Sequence, residues 1–425
     1  MYALRAGRMF DGHQGHGPST VLIDEGRIVS VHTDSAPPPG EVTDLGDDVT
    51  LLPGLIDTHV HLVFDCTFQA VDHVQQATDD ELLAQMRTRA RAALTAGVTT
   101  MRDLGDRRYL SLQLREELAK QVDAGPMLLC AGPPVTSAKG HCWFLGGEVP
   151  APGSVTPDGH GLVDALRAAV AERVDRGVDA IKVMATGGEM TAGTHSHLTQ
   201  FSLDELRTVV LEAHRHGLPV AAHAHGIAGV ANALAAGVDT IEHCSFMSED
   251  SVVRDEALTA GIAESGIIVS ATLGAAVGDF PPPPPAILKR LPLLMDHLRR
   301  LVTAGAAITI GTDAGIGPQK PHDVLPYGAV QLAELGLGPV TALTAVTSLA
   351  ARACWVADRK GALRSGHDAD LLVVRGDPLT DIRALHDVVA VYRAGVRVSG
   401  ARVSQPAPSI AVTLDQMTRA AATEA

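Results

Sequence analysis

The chain has no apolar run approaching membrane-spanning length, few lysines, and only five cysteines in 425 residues. The first absence excludes a transmembrane helix, and the opening MYALRAGRMFDG alternates like a strand where a signal peptide would carry a long apolar core. A cytoplasmic location with no membrane partner is therefore expected. The cysteines are odd in number and lack metal-type spacing, which fits a reducing compartment and argues against a disulfide framework. A formal charge of −15 disfavours nucleic acid and anionic membranes as partners. What is present is ample apolar content: 46% hydrophobic against 20% charged residues can bury a full core, as one large domain plus a smaller one.

Between about Leu51 and Arg352 short apolar runs alternate with segments of helical period, the pattern of parallel βα architectures. Strands are predicted at LPGLIDTHVHL, GVTTMRD, PMLLCAG, DAIKVMA, LPVAAHA, VDTIEH, GIIVSAT and AAITIGTD. Capping-box pairs, Thr78 with Glu81 and Ser202 with Glu205, open two of the intervening helices, and Gly97 and Gly217 close them. Eight such units predict an α/β fold, a (β/α)8 TIM barrel over residues 54–355, with catalytic groups at the C-terminal strand ends. The flanks, residues 1–53 and 356–405, read as strands and turns that pair into one small β-sandwich; residues 406–425 form a tail without an assigned role. Two loops are expected to overhang the site, the run Pro281–Pro285 and GEMTAGTHSHLTQ (Gly188–Gln200).

His59 and His61 stand two apart at the end of the first strand, a spacing that puts both imidazoles on one face. Alone, such a pair is as well explained by coincidence. His223, His243 and Asp313, however, each fall at the predicted end of a later strand, and imidazole with carboxylate suits zinc or a similar divalent ion. Lys182 lies inside an apolar strand, where an ammonium carries a desolvation penalty unless it snorkels to solvent or pairs, for example with Glu189.

The ordered set His59, His61, Lys182, His223, His243 and Asp313 resembles the amidohydrolase superfamily, in its branch with a bridging carboxylated lysine. LLPGLIDTHVHL and GALRSGHDADLLVVRGDPL resemble its frame. AAGVDTIEHCSF, TAGAAITIGTDAG and VTALTAVTSLAARACWVADRKGAL are similar to the imidazolonepropionase-related group with Xaa-Pro dipeptidases and ochratoxin-degrading amidases. The resemblance implies two divalent metals, zinc by expectation. His59, His61 and Asp313 would hold the more buried ion and His223 and His243 the other. A CO2-derived carbamate on Lys182 would bridge both. A metal-bridging hydroxide would attack an amide of a dipeptide such as Xaa-Pro, or of an N-acyl amino acid, with Asp313 moving the proton. Hydrolysis of a cyclic amide, lactone, xenobiotic or natural product at the same site is the alternative, and a catalytically silent scaffold the third.

His141 and His225 resemble substrate-contacting positions, and both are also taken as catalytic; His225 serves equally as a residue orienting a ligand. The backbones of Gly187 and Gly188 are expected to donate to an anionic group, and His322 is a further substrate-contact candidate. Cys142 and Cys244 sit beside candidate ligands, but strand neighbours point to opposite faces and a thiol nucleophile has no task here. Asp57 and Glu242 read as packing or supporting residues, and His195 and His197 as part of a loop lid. The expected partners are a small-molecule substrate and further copies of the chain in a homo-oligomer.

Overall fold

The computed structural model describes residues 1–33, 40–150, 161–278, 280–281 and 283–400, so the expected tail 406–425 and residues 401–405 lie outside the described residues. All eight predicted strands form: β1 (Leu55–Val60), β2 (Val98–Asp103), β3 (Met127–Cys130), β4 (Ile181–Met184), β5 (Val220–Gly226), β6 (Thr240–Met247), β7 (Ile268–Ala271) and β8 (Ala307–Ile310). They pair in parallel, β1 to β3 in one sheet and β4 to β8 in another, each strand beside its chain neighbour. Isolated parallel bridges, Val135 to Val183 and Val60 to Ala314, link the two sheets beyond their outer strands. Strands buried along their length need continuous apolar runs, and β4, Ile-Lys-Val-Met, is buried at every position.

The helices begin and end as their caps dictate. α1 (Asp79–Thr95) opens on the reciprocal Thr78–Glu81 capping box and is followed by Gly97 at φ +95°. α2 (Leu203–Arg215) opens on the Ser202–Glu205 box, with Gly217 at φ +70° beyond its end. The proline run differs in one detail from a plain loop, because its last member, Pro285, is the first residue of α3 (Pro285–Thr303). Proline suits that position because the N–H it lacks would be unsatisfied there anyway. Ile287, Leu291, Leu294, Leu298 and Leu301 recur along α3 at helical spacing and turn towards the strand ends.

Two further sheets form outside these strands, and the two chain ends meet in the second. One holds Tyr2–Ala6, Ser19–Asp24, Arg27–Thr33 and Val42–Asp44; the other joins Arg8–Phe10, Gly15–His16 and Val49–Pro53 to Leu371–Arg375, Val388–Arg393 and Val396–Arg397. A separate apolar core, including Leu4, Val21, Ile23, Leu51, Leu371 and Val373, draws on both sheets. Among the described residues no helix is long and apolar enough to cross a membrane.

Candidate metal centre

His59 and His61 leave the end of β1 with Nε2 atoms 3.2 Å apart. Behind them stand partners that can only accept: Gly105 O is 2.9 Å from His61 Nδ1, and Glu242 Oε2 is 3.0 Å from His59 Nδ1. Burial alone would raise the Glu242 carboxyl, but the Arg102 guanidinium, 3.0 Å from Oε1, and His59 hold it well below the usual carboxylate range. The Gly105 carbonyl therefore keeps the His61 proton on Nδ1 and its Nε2 bare, and the Glu242 carboxylate facing His59 Nδ1 favours the same tautomer there without making a well-aligned hydrogen bond. Burial also pushes His61 down to about 4 and lowers His59, so neither gains a second proton near neutrality. Asp313 Oδ1 lies 3.6 Å from His59 Nε2 and 3.5 Å from His61 Nε2. Three lone-pair donors face one another, with the Lys182 amine the nearest proton source, an arrangement that a cation satisfies.

A second group stands at the ends of β5 and β6, where the donor atoms of His223, His225 and His243 lie within 4.8 Å of one another. His223 Nε2 donates to Gly187 O at 3.0 Å, which leaves Nδ1 bare. His225 Nδ1 is 2.6 Å from Ser245 Oγ, and His243 Nδ1 is 3.2 Å from Thr272 Oγ1. His225 thus stands among the donors and not merely behind them. Both sets fit divalent cations by their donor chemistry. Lys182, 1% exposed, brings Nζ to 3.3 Å from His59 Nε2, and burial lowers its amine to about 8. It does not pair with Glu189, whose Oε1 instead accepts from Ser196 and from Arg290 at 3.0 Å.

Several sequence expectations need correction. Gly187 N–H donates to Leu198 O at 3.0 Å and Gly188 N–H to Thr194 Oγ1 at 3.2 Å, so neither is left for a substrate anion. These glycines are required by close approach: a Cβ on Gly187 would lie 2.5 Å from His195 O, and one on Gly188 2.4 Å from the His141 ring. His322 is turned away from the cavity, with Nε2 donating to His61 O at 3.0 Å. Cys142 and Cys244 do line the cavity, against the strand-alternation argument, because their φ angles of 58° and 50° are left-handed. Burial pushes the Cys142 thiol up to about 12 and raises Cys244 further, which leaves neither as a thiolate. His243 and Asp313 share that left-handed backbone, at φ 66° and 57°.

His59, His61, His141, Lys182, His223, His225, His243 and Asp313 all line one cavity of about 380 Å³. His141 is fixed by Thr191, whose Oγ1 is 3.1 Å from Nδ1 and also accepts Cys142 N–H at 2.9 Å. Apolar side chains from α3 and from Phe64, Phe68, Met190 and Leu273 cover the opposite wall. Residues 50–398 match the model of the amidohydrolase family. The chain belongs to the amidohydrolase family. Members of that family are metal-dependent hydrolases, which is what the two donor groups suit.

This amidohydrolase is 30% identical to ochratoxinase of Aspergillus niger over 368 residues, covering 80% of this chain and 73% of that protein. It is 27% identical to imidazolonepropionase of Deinococcus radiodurans over 400 residues, covering 86% and 88% of the two chains. Among solved structures, a Xaa-Pro dipeptidase with methionine in its active site superposes with a TM-score of 0.80 at 28% identity, over 94% of this chain and 100% of that one. Relatives of this kind support a hydrolase acting on amide bonds, and fold neighbours of the family imply a TIM-barrel domain.

The sequence reading assigned no role to Lys320, which also lines the cavity, or to Arg102, the buried cation behind Glu242. The signals were faint. Lysine is rare here and Lys320 follows Asp313 closely; Arg102 gives only a charge inside an apolar strand.

Proposed function

We propose that this amidohydrolase cleaves the amide of a dipeptide such as Xaa-Pro, or of an N-acyl amino acid, with two divalent ions, zinc by donor chemistry. His59, His61 and Asp313 would hold one and His223 and His243 the other, His225 standing beside them, with carboxylated Lys182 between. The observation that carries this reading is the convergence of bare His59 and His61 Nε2 atoms on Asp313, with Lys182 Nζ 3.3 Å from one of them. An amine lowered to about 8 has an appreciable neutral fraction, and adding CO2 with loss of a proton turns it into an anion suited to bridging cations. The same proposal has the two parallel sheets closing into a (β/α)8 barrel over 54–355, and 1–53 with 356–405 forming the β-sandwich.

The chemistry expected of such an ion pair is a hydroxide at neutral pH and polarisation of the scissile carbonyl. Asp313 takes the nucleophile's proton on a carboxylate oxygen and delivers it to the leaving nitrogen. His141, braced by Thr191, and His225, held by Ser245, orient the substrate across the histidines. The wall formed by α3 excludes water from the reacting groups.

The test is elemental analysis of protein grown with zinc and bicarbonate, followed by turnover of dipeptides, N-acyl amino acids and ochratoxin-like amides. About two ions per chain, falling on Lys182→Ala substitution, supports the reading. Metal-free protein sinks it, and turnover of lactones or cyclic ureides in place of linear amides transfers the site to those substrates.

A further inference from the structure

The cavity contains a cation that the chemistry above leaves without a task. Lys320, seven residues beyond Asp313 in the loop after β8, places Nζ 2.9 Å from Thr272 O and 2.9 Å from Thr312 O. Those carbonyls lie just beyond the ends of β7 and β8, so the ammonium ties the segment after β7 to the one that carries Asp313. Thr272 also touches His243, and Thr312 precedes Asp313. An ammonium has three N–H donors, and two carbonyls use two of them.

The other cations of the cavity are matched differently. Arg290 is paired with Glu189 at 3.0 Å and also donates to Glu249 O at 2.5 Å. Lys182 faces imidazoles and is the carbamate candidate. Among the described residues no carboxylate forms an ion pair with Lys320 Nζ. Burial lowers its amine to about 8, and the nearby Asp313 and Asp57 carboxylates oppose that shift. A positive charge buried in the cavity wall is costly unless an anion meets it.

We propose that Lys320 determines specificity by binding the free carboxylate of the substrate, whose apolar side chain lies against Phe64, Leu273, Ile287, Leu291 and Leu294. The substrate class is accordingly an N-acyl or N-aminoacyl amino acid with a bulky apolar group. This rests on the amide-hydrolase reading. It assigns the carboxylate to the side chain of Lys320, and the backbones of Gly187 and Gly188 take no part.

The experiment compares N-benzoyl-phenylalanine with N-benzoyl-phenylalaninol, in which CH2OH replaces the carboxylate, on metal-loaded wild type, K320M and K320R. A charge-assisted contact predicts that wild type prefers the acid, and that K320M shrinks the acid-to-alcohol ratio of kcat/KM by about tenfold to a hundredfold, mainly through KM. K320R should keep most of the preference. A strut that merely ties β7 to β8 would lower both compounds together and leave the ratio intact, which overturns the proposal. So does a wild-type enzyme without preference, a result that needs no folded variant. If wild type hydrolyses neither compound, the amide reading fails, and calorimetric Kd values for the same pair decide Lys320 alone: tighter acid binding lost in K320M supports it, and equal binding refutes it.

Discussion

The two histidine groups differ in what stands behind them. His59 and His61 are backed by a carboxylate and a carbonyl, which accept only and so dictate where each proton resides. His225 and His243 are backed by the hydroxyls of Ser245 and Thr272, which donate or accept as required. Burial follows the same division: all three members of the first group are buried, but only His223 of the second. The first group is a pre-set clamp; in the second His223 is likewise fixed by the Gly187 carbonyl, and it is His225 and His243 that can change their hydrogen bonding when substrate arrives. Such a contrast suits one ion kept permanently and one that shares its coordination with substrate.

The contrast can be broken or sharpened by substitution. The largest effect is expected for Asp313→Asn, which keeps an oxygen donor but removes the proton acceptor; kcat should fall by about a thousandfold while elemental analysis shows most metal retained. Loss of metal in parallel with activity would make Asp313 a ligand only. Glu242→Gln keeps an acceptor but removes the negative charge that faces His59 Nδ1, and leaves Arg102 buried without its charge partner. Metal affinity of the clamp should weaken by about tenfold to a hundredfold, with a fall in Tm beside it. Ser245→Ala and Thr272→Val, the matching changes in the second group, should alter metal affinity by no more than about threefold, since neither hydroxyl sets a tautomer. Competition titration against a chelator measures both, and similar losses in the two groups would erase the distinction.

Acidification should have the smallest effect. In the metal-free protein burial pushes His61 and His225 down to about 4 and His141 and His322 down to about 3. Between about pH 6.5 and pH 4 the unfolded chain thus binds protons that the folded one refuses, and stability falls as pH falls. Asp57 and Asp106, raised by burial to about 7 and about 6, act in the opposite sense because their stability contribution is lost as pH rises. The lowered histidines, which also include His59, His223, His243 and His386, outnumber the raised carboxyls Asp57, Asp103 and Asp106, so Tm should decline from pH 6.5 to pH 4, and an unchanged or rising Tm would contradict the burial of the site.

Much of the frame was legible because strands and caps are local signals. The eight apolar runs, the Thr78 and Ser202 boxes, the placement of Lys182 inside β4 and that of His59, His61, His223, His243 and Asp313 towards or beyond strand ends follow from periodicity and spacing. What strand alternation could not anticipate is the left-handed backbone at Cys142 and Cys244, which brings both thiols to the cavity. Nor does a pair of adjacent glycines reveal whether its N–H groups are free, since Leu198 and Thr194 reach Gly187 and Gly188 through the fold of a loop. Lys320 was missed for a related reason: its partners are backbone carbonyls on two other segments, and carbonyls have no residue code.

The left-handed turns at His243 and Asp313 set a trade between durability and chemistry. Aspartate and histidine enter such a backbone more readily than most side chains, but glycine still does so with less strain. Changing either residue to glycine would relax the main chain while deleting a donor. Selection for heat resistance alone would therefore drift towards glycine at these positions and yield sturdier, inert proteins.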